Sequence, residues 1–260
     1  MASTAALSAF NGGAQAAFNS GWSVRTPHLV TSNCDFRSLA KDTSLATLPA
    51  EALRELESIM SVVDYDSGSI LFLEQEQLNR VFVVLSGDVR LSLQNIGGKS
   101  LTIRIARRGA LLGMHSALYG SLSEWSADIL YPSKIASISR NDILRFARRY
   151  PEVYRLATVE LMTLLRQACA SLHIVGLSPC VRKRLASQLL VWGEQGNKTG
   201  DQTAFRMALT HAQIAEFIGV TRETVTRGLM AFKQLGLVEI QGSILRIPST
   251  TALRKYVERD

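Results

Sequence analysis

The sequence predicts an α+β fold: an N-terminal antiparallel β-roll of jelly-roll type, a long dimerisation helix, and a C-terminal winged helix-turn-helix. Three observations predict it. Between Ser61 and Ser139, short β-rich runs are punctuated by glycine and turn residues, at the roughly 8–12-residue spacing of an antiparallel barrel or double-sheet roll. Beyond Ser139 this texture stops and helical periodicity takes over. From Leu209 to Leu235, two helical segments meet at Gly219 with only a tight turn between them. The chain has 260 residues, enough for two domains, and 47% apolar against 20% charged residues argues against a disordered protein.

Residues 1–33 are small and polar, with adjacent Gly12 and Gly13, and read as a flexible tail without the basic start and apolar stretch of a secretory signal. Pro49 opens a short helix with Leu53, Leu56 and Met60 at helical spacing. The β runs are Ser69–Leu73, Arg80–Leu85, Val89–Leu93, Leu101–Ala106, Ile129–Tyr131 and Lys134–Ile138. Gly87-Asp88 reads as a two-residue hairpin turn between the second and third runs, and residues 95–99 as another turn. Val89, Leu91 and Leu93 alternate with Arg90 and Ser92, as one buried face requires.

Arg140–Arg149 reads as a helix, and Pro151 starts a longer one. Tyr154, Leu161, Ala168 and Val175 form one heptad row, and Thr158, Leu165 and Leu172 the other. The seam suits a helix pair; a single helix facing the core is the alternative. Gly176 and Pro179 end the helix and make a hinge. The expected division is thus a tail at 1–33, a roll at 34–150, a helix and hinge at 151–178, and a helix-turn-helix domain at 179–260. In the last, Val181–Trp192 is a helix with Leu185, Leu189 and Trp192 on one face, residues 193–200 are a loop, and Leu237–Ile247 is a two-stranded wing turning at Gly242-Ser243.

The net charge is +7, with Arg140, Arg145, Arg148, Arg149, Arg155, Arg166, Arg182, Lys183 and Arg184 concentrated past the middle of the chain. That fits a phosphate-bearing partner or a solvated helix surface. No apolar run reaches the ~18 residues of a membrane helix. Cys34, Cys169 and Cys180 are sparse and include no C-x-x-C pair, which fits a reducing cytoplasm and no structural metal. His28, His115, His173 and His211 stand far apart, so the close His-x-His and carboxylate set of a roll metalloenzyme is missing, as are phosphate-loop and nucleophile-elbow motifs. The chain is not expected to be an enzyme.

The stretch from Leu209 carries the function. Thr210-His211-Ala212-Gln213 has the form of a capping box; Ile214, Phe217 and Ile218 give the apolar face, Gly219 the stop, and Thr221 a second N-cap. On the second helix Val225, Leu229 and Phe232 share one arc, while Arg222, Glu223, Thr226 and Arg227 occupy the other, in the two turns that enter a major groove in this architecture. Arg suits guanine O6 and N7, Glu suits cytosine N4, and Thr suits a thymine methyl. The plainer reading of Glu223 and Arg227 is a solvent ion pair worth about 0.2–0.5 kcal/mol. The candidate DNA contacts are Thr210, His211, Gln213, Thr221, Arg222, Glu223, Thr224, Thr226, Arg227 and Lys233, with Arg246 of the wing beside a phosphate.

The order of roll, long helix, hinge and winged helix-turn-helix, with residues 209–215 (LTHAQIA) and 221–227 (TRETVTR), resembles the Crp/Fnr family of bacterial transcription regulators from about residue 34 onward. The resemblance implies a sensing roll, a homodimer on a palindromic DNA site, RNA polymerase as partner, a cytoplasmic location, and Arg222, Glu223 and Arg227 as base contacts. It also implies an effector pocket at Gly113, Met114, His115, Ser116, Trp125, Ser126, Ala168 and Cys169. Cyclic-nucleotide binders carry Gly-Glu and then Arg-Ser in this cassette. Here Met114 holds the Glu position, Trp125 or Glu124 holds the Arg position, and the adenine-facing Thr-Ser pair of the long helix is Ala168-Cys169. An anionic phosphate buried without a cation is disfavoured, so cyclic AMP is not expected. Cys34 lies in a stretch resembling the start of an iron–sulfur region, but one thiol cannot hold a cluster. No cofactor is expected; haem on His115 or His173, a thiol switch at Cys169 or Cys180, and a small apolar effector are the alternatives, with a small-molecule module lacking any DNA role behind them.

Overall fold

The computed structural model describes His28, Leu29, Phe36, Leu39 and residues 43–178, 180–194 and 196–258. Cys34 and most of the expected tail lie outside the described residues. The chain divides into two compact units, residues 1–99 with 103–165, and residues 100–102 with 166–260, the division falling inside the long helix.

The first unit is built on an antiparallel sheet of β1 (His28–Leu29), β2 (Ser61–Tyr65), β3 (Ile70–Phe72), β4 (Arg80–Gln94), β5 (Ser100–Ala106), β6 (Leu111–Leu112) and β7 (Ser126–Ser139). Its order is β1-β2-β7-β4-β5, with β3 also on β7 and β6 on β4. Within the stretch read as a tail, His28 and Leu29 pair with Asp64 and Val63. The helices are α1 (Ala50–Ser58), α2 (Met114–Tyr119), α3 (Arg140–Arg149) and α4 (Glu152–Leu172). Of these, α2 is not among the elements the sequence pattern predicts.

The expected hairpin at Gly87-Asp88 is not there. Arg80–Leu85 and Val89–Leu93 are one strand, β4, paired along its length with β7, which likewise joins Ile129–Tyr131 to Lys134–Ile138. The register shifts around Ser86 to Val89, so Gly87 marks a bulge. Gly87 has φ +87°, and a Cβ there would lie 2.1 Å from Ser133 Oγ and 2.7 Å from the Pro132 carbonyl oxygen. A bulge and a turn both ask for glycine beside Asp or Asn, and only the distant partner strand distinguishes them.

The bulge also explains the burial pattern. Before it, Val81, Val83 and Leu85 pack into a helix-side core with Ala136, Ile138, Ile143, Phe146, Val153 and Leu156. Phe82 and Val84 face the roll interior with Phe72, Ile129, Ile135 and Leu164. After it, the interior residues are Val89 and Leu91, so the inward parity changes from even to odd. Arg104 of β5 shares its strand face with the interior Ala106 and pairs with Glu160 of α4, both side chains largely buried. Burial pushes the Glu160 carboxyl up against the opposing pull of Arg104.

In the second unit α4 ends in a π-turn, His173–Leu177. There follow α5 (Val181–Gly193), β8 (Asn197–Thr199), β9 (Gln202–Arg206), α6 (His211–Ile218), α7 (Arg222–Gln234), β10 (Glu239–Gln241), β11 (Ile244–Ile247) and α8 (Thr250–Glu258). The wing hairpin β10–β11 forms as expected, but it belongs to a four-stranded sheet, β10-β11-β9-β8, so part of the expected loop at 193–200 is strand. Leu185, Leu189, Ile214, Phe217, Ile218, Val225, Leu229, Phe232, Leu245, Ile247 and Leu253 are buried. Gly228 permits close packing of α7, since a Cβ there would lie 2.7 Å from Leu185 Cδ2. Asp201 accepts hydrogen bonds from the hydroxyls of Ser249, Thr250 and Thr251 and from the Thr251 N–H, tying the β8–β9 turn to the start of α8. These donors hold its carboxyl far below the usual carboxylate range.

Candidate nucleic-acid interface

The turn between α6 and α7 is set by local hydrogen bonds. Thr210 Oγ1 accepts from the Gln213 N–H (3.2 Å), and Gln213 Oε1 accepts from the Thr210 N–H (2.8 Å), completing the capping box. Gly219, at φ +65° and ψ +38°, closes α6 in the left-handed region and donates to the Ala215 carbonyl. Thr221 then caps α7, accepting from the Thr224 N–H (3.4 Å), with the two hydroxyls 3.0 Å apart. Gln213, Thr210, Thr221 and Thr224 therefore shape the motif as caps.

This scaffold buries Val225, Leu229 and Phe232 of α7 and leaves Arg222, Glu223 and Arg227 exposed. Hydrogen bonding from its own backbone N–H and the Thr221 hydroxyl, with the charges of Arg222 and Arg227, holds the Glu223 carboxyl below its usual value. Thr226 is half-buried, and its hydroxyl links α7 to α6: it donates to the Arg222 carbonyl (3.0 Å) and lies 2.8 Å from His211 Nδ1. Lys233 is exposed in the last turn. Arg246 of the wing sits 3.6 Å from Glu239 of the paired strand. Sequence reasoning passed over Met230, which is 60% exposed and one turn beyond Thr226 on the exposed side of α7. Its i+3 spacing from Arg227 was the available signal.

In the roll, α2 and the start of β7 bring six of the eight predicted pocket residues into two adjoining segments. Gly113 precedes α2, Met114 and Ser116 are buried, and Ser126 Oγ accepts from the Glu74 N–H. His115 Nε2 lies 2.6 Å from Glu124 Oε2 and 3.1 Å from Ser116 Oγ, and its ring centroid is 5.3 Å from that of Trp125. Both polar contacts fall on one nitrogen, so no proton relay of the hydrolase kind is formed. The cassette thus places the carboxylate of Glu124 against His115, a partner the sequence reading weighed only as a substitute for a cation. Ala168 and Cys169 fall in the second compact unit, Cys169 exposed, as is His173 in the π-turn.

Among the described residues there is no cluster of three potential metal-binding side chains, and no helix is long and apolar enough to cross a membrane. Cys180 precedes α5, where the backbone N–H groups of Lys183 and Arg182 and their charges lower its thiol pKa.

Comparison with known proteins finds a family match within each unit. Residues 62–150 match the cyclic nucleotide-binding domain and residues 183–256 the Crp-like helix-turn-helix domain. The chain is 28% identical over 191 residues to the cyclic AMP receptor protein of Thermus thermophilus, covering 74% of this chain and 85% of that one. It is 24% identical over 220 residues to the global nitrogen regulator of Synechococcus elongatus, covering 83% and 97%. A structure of a CooA mutant from Carboxydothermus hydrogenoformans has a similar fold, with a TM-score of 0.68 at 21% identity, covering 88% of this chain and 98% of that one.

Proposed function

We propose that this chain, a Crp/Fnr-type DNA-binding transcription regulator and not an enzyme, acts as a homodimer on an inverted repeat and responds to a signal other than cyclic AMP. The observation that carries this reading is the division of α7, whose buried arc anchors it while Arg222, Glu223 and Arg227 stand exposed in its first two turns. Arg222, Glu223 and Arg227 read base edges; Lys233 and Arg246 meet phosphates. Thr210, Gln213, Thr221 and Thr224 hold the geometry of the motif as caps.

The dimer is supported by α4. Tyr154, Leu161, Met162, Leu165 and Leu172 are exposed, an apolar face beyond what a solvated helix needs. Thr158, Leu161, Leu165 and Leu172 of the heptad seam lie on this side, with Ala168 and Val175 half-buried. RNA polymerase as partner and a bacterial cytoplasmic location rest on the family.

Against cyclic AMP stands the cassette chemistry. Met114 is buried where a ribose-binding carboxylate belongs, and Glu124 adds negative charge, tied to His115, where a cyclic phosphate needs a cation. Haem on His115 is disfavoured in the same way, since its Nε2 is engaged by Glu124 and Ser116.

Selection from random duplexes tests the reading. Wild type is expected to recover two inverted half-sites centred about 10–10.5 bp apart, with a TGTGA-like half-site the first to try before a TTGAT-like one. Arg227→Ala is expected to lose about 1–3 kcal/mol on that site and to relax one position per half-site, with nonspecific binding retained. Recovery of the same motif with equal information at every position by Arg227→Ala removes Arg227 from base reading.

A further inference from the structure

Thr226 carries two groups on Cβ, a hydroxyl and a methyl, and the fold commits the hydroxyl. Its one proton goes to the Arg222 carbonyl at 3.0 Å. His211 Nδ1, at 2.8 Å from the same oxygen, must then be the donor of the second bond, which puts the imidazole proton on Nδ1. The hydroxyl therefore has no proton left for a base acceptor, and at least one lone pair is already engaged. The β-branch makes the side chain stiff at χ1, so holding the oxygen also holds the methyl.

Thr226 lies on α7 about 40° around the helix from Arg222 and about 60° from Glu223, between the two on the arc proposed to face DNA. The residue is half-buried. We infer that Thr226 meets the DNA through its γ-methyl alone and selects the 5-methyl group of a thymine, with His211 as the positioning residue that keeps the hydroxyl turned toward α6. Thymine is the base that offers an apolar group on its major-groove edge, and a methyl with no polar competitor beside it discriminates by that group. The inference rests on the proposed reading by α7 and adds the chemical group read at one position.

The test uses the full-length protein and the duplex that wild type selects, with each thymine in turn replaced by uracil in both half-sites, which removes only the methyl. Wild type is expected to lose about fourfold per half-site at one thymine position and little at the others. Thr226→Val keeps the methyl and deletes the hydroxyl, and is expected to keep this uracil penalty. Thr226→Ser keeps the hydroxyl and deletes the methyl, and is expected to bind thymine and uracil alike. His211→Ala is expected to shrink the penalty, and adding Thr226→Val, which presents a methyl in either rotamer, to restore it. Circular dichroism and retained nonspecific binding check that each variant folds.

A Thr226→Ser protein with the wild-type penalty overturns the inference, and so does a Thr226→Val protein that has lost it, which assigns the contact to the hydroxyl. An unchanged penalty in His211→Ala overturns the positioning role. The two layers fail differently. If wild type selects no motif, reading by α7 fails and this inference with it. If it selects a motif that Arg227→Ala relaxes but no thymine shows a uracil penalty, only the methyl contact is wrong.

Discussion

The roll and the helix-turn-helix unit use polar groups in opposite ways. In the roll, charges are paired under cover by residues distant in sequence: Arg90 with Asp128 at 3.0 Å across β4 and β7, and Arg104 with Glu160 between β5 and α4. In the helix-turn-helix the polar groups cap and tie helices a few residues apart, as Thr210 does with Gln213, Thr221 with Thr224 and Thr226 with Arg222. The charged ends of Arg222, Glu223 and Arg227 stay outside. A unit that must meet a polyanion keeps its charges solvated and available, while a unit that must hold its shape neutralises them internally. Losing one partner should therefore cost stability in the roll, while losing an exposed charge of α7 should cost specificity.

The strongest way to break that contrast is Arg104→Ala. It leaves Glu160 buried without its cation, and the expected loss is about 3–5 kcal/mol of stability, read by urea unfolding. Arg104→Met with Glu160→Leu, which removes both charges, should recover most of it. A loss below 1 kcal/mol for Arg104→Ala, as a solvated pair would give, contradicts the assignment.

A matched pair of glycines sharpens the comparison. Gly87→Ala forces a side chain into the left-handed region and against Ser133 and the Pro132 backbone, so about 1–3 kcal/mol from conformation alone is expected, with the clash added. Gly228→Ala meets only the flexible end of Leu185, and the better helix propensity of alanine offsets about 1 kcal/mol of that crowding. Thermal unfolding should rank Gly87→Ala well below Gly228→Ala, and the reverse order contradicts the bulge as described.

Acid gives the smallest effect and separates the units by sign. Asp201 and Glu223 have lowered pKa values in the folded state, so their contributions are present above the unfolded carboxylate values of about 4 and are lost as pH falls below them. Asp128 and Glu160 have raised values, so their contributions are full below the unfolded values and are lost as pH rises through the folded ones. Asp142 of the roll, lowered by the Ser139 hydroxyl and Arg145, works against this trend within its unit. Hydrogen exchange, corrected for its intrinsic pH dependence, should show β8, β9 and α8 losing protection as pH falls below about 4, before β4 and β7 do. Asp201→Asn should reduce that difference, and simultaneous loss in both sheets contradicts it.

How much was legible follows the same division. The capping box at Thr210, the stop at Gly219, the cap at Thr221 and the burial of Val225, Leu229 and Phe232 were all readable, because each depends on residues within one or two helical turns. Gly87 was misread as a turn, because the atoms that make it a bulge belong to residues 132 and 133 on another strand. The strands β8 and β9 and the helix α8 were missed for a related reason: β9 pairs with β11 some forty residues on, and α8 is capped by Asp201 from 48 to 50 residues away.

The sequence by itself determined the order of the parts, the helix-turn-helix with its caps, and which arc of α7 stays polar, since periodicity and capping are short-range physics. Only the tertiary structure decided that β4 and β7 run unbroken, that Arg104 and Glu160 meet, that Glu124 turns to His115, and that His211 engages the Thr226 hydroxyl. Those contacts join residues that the chain brings together only after its apolar faces have packed, and no local pattern encodes which distant partner a given polar group will find.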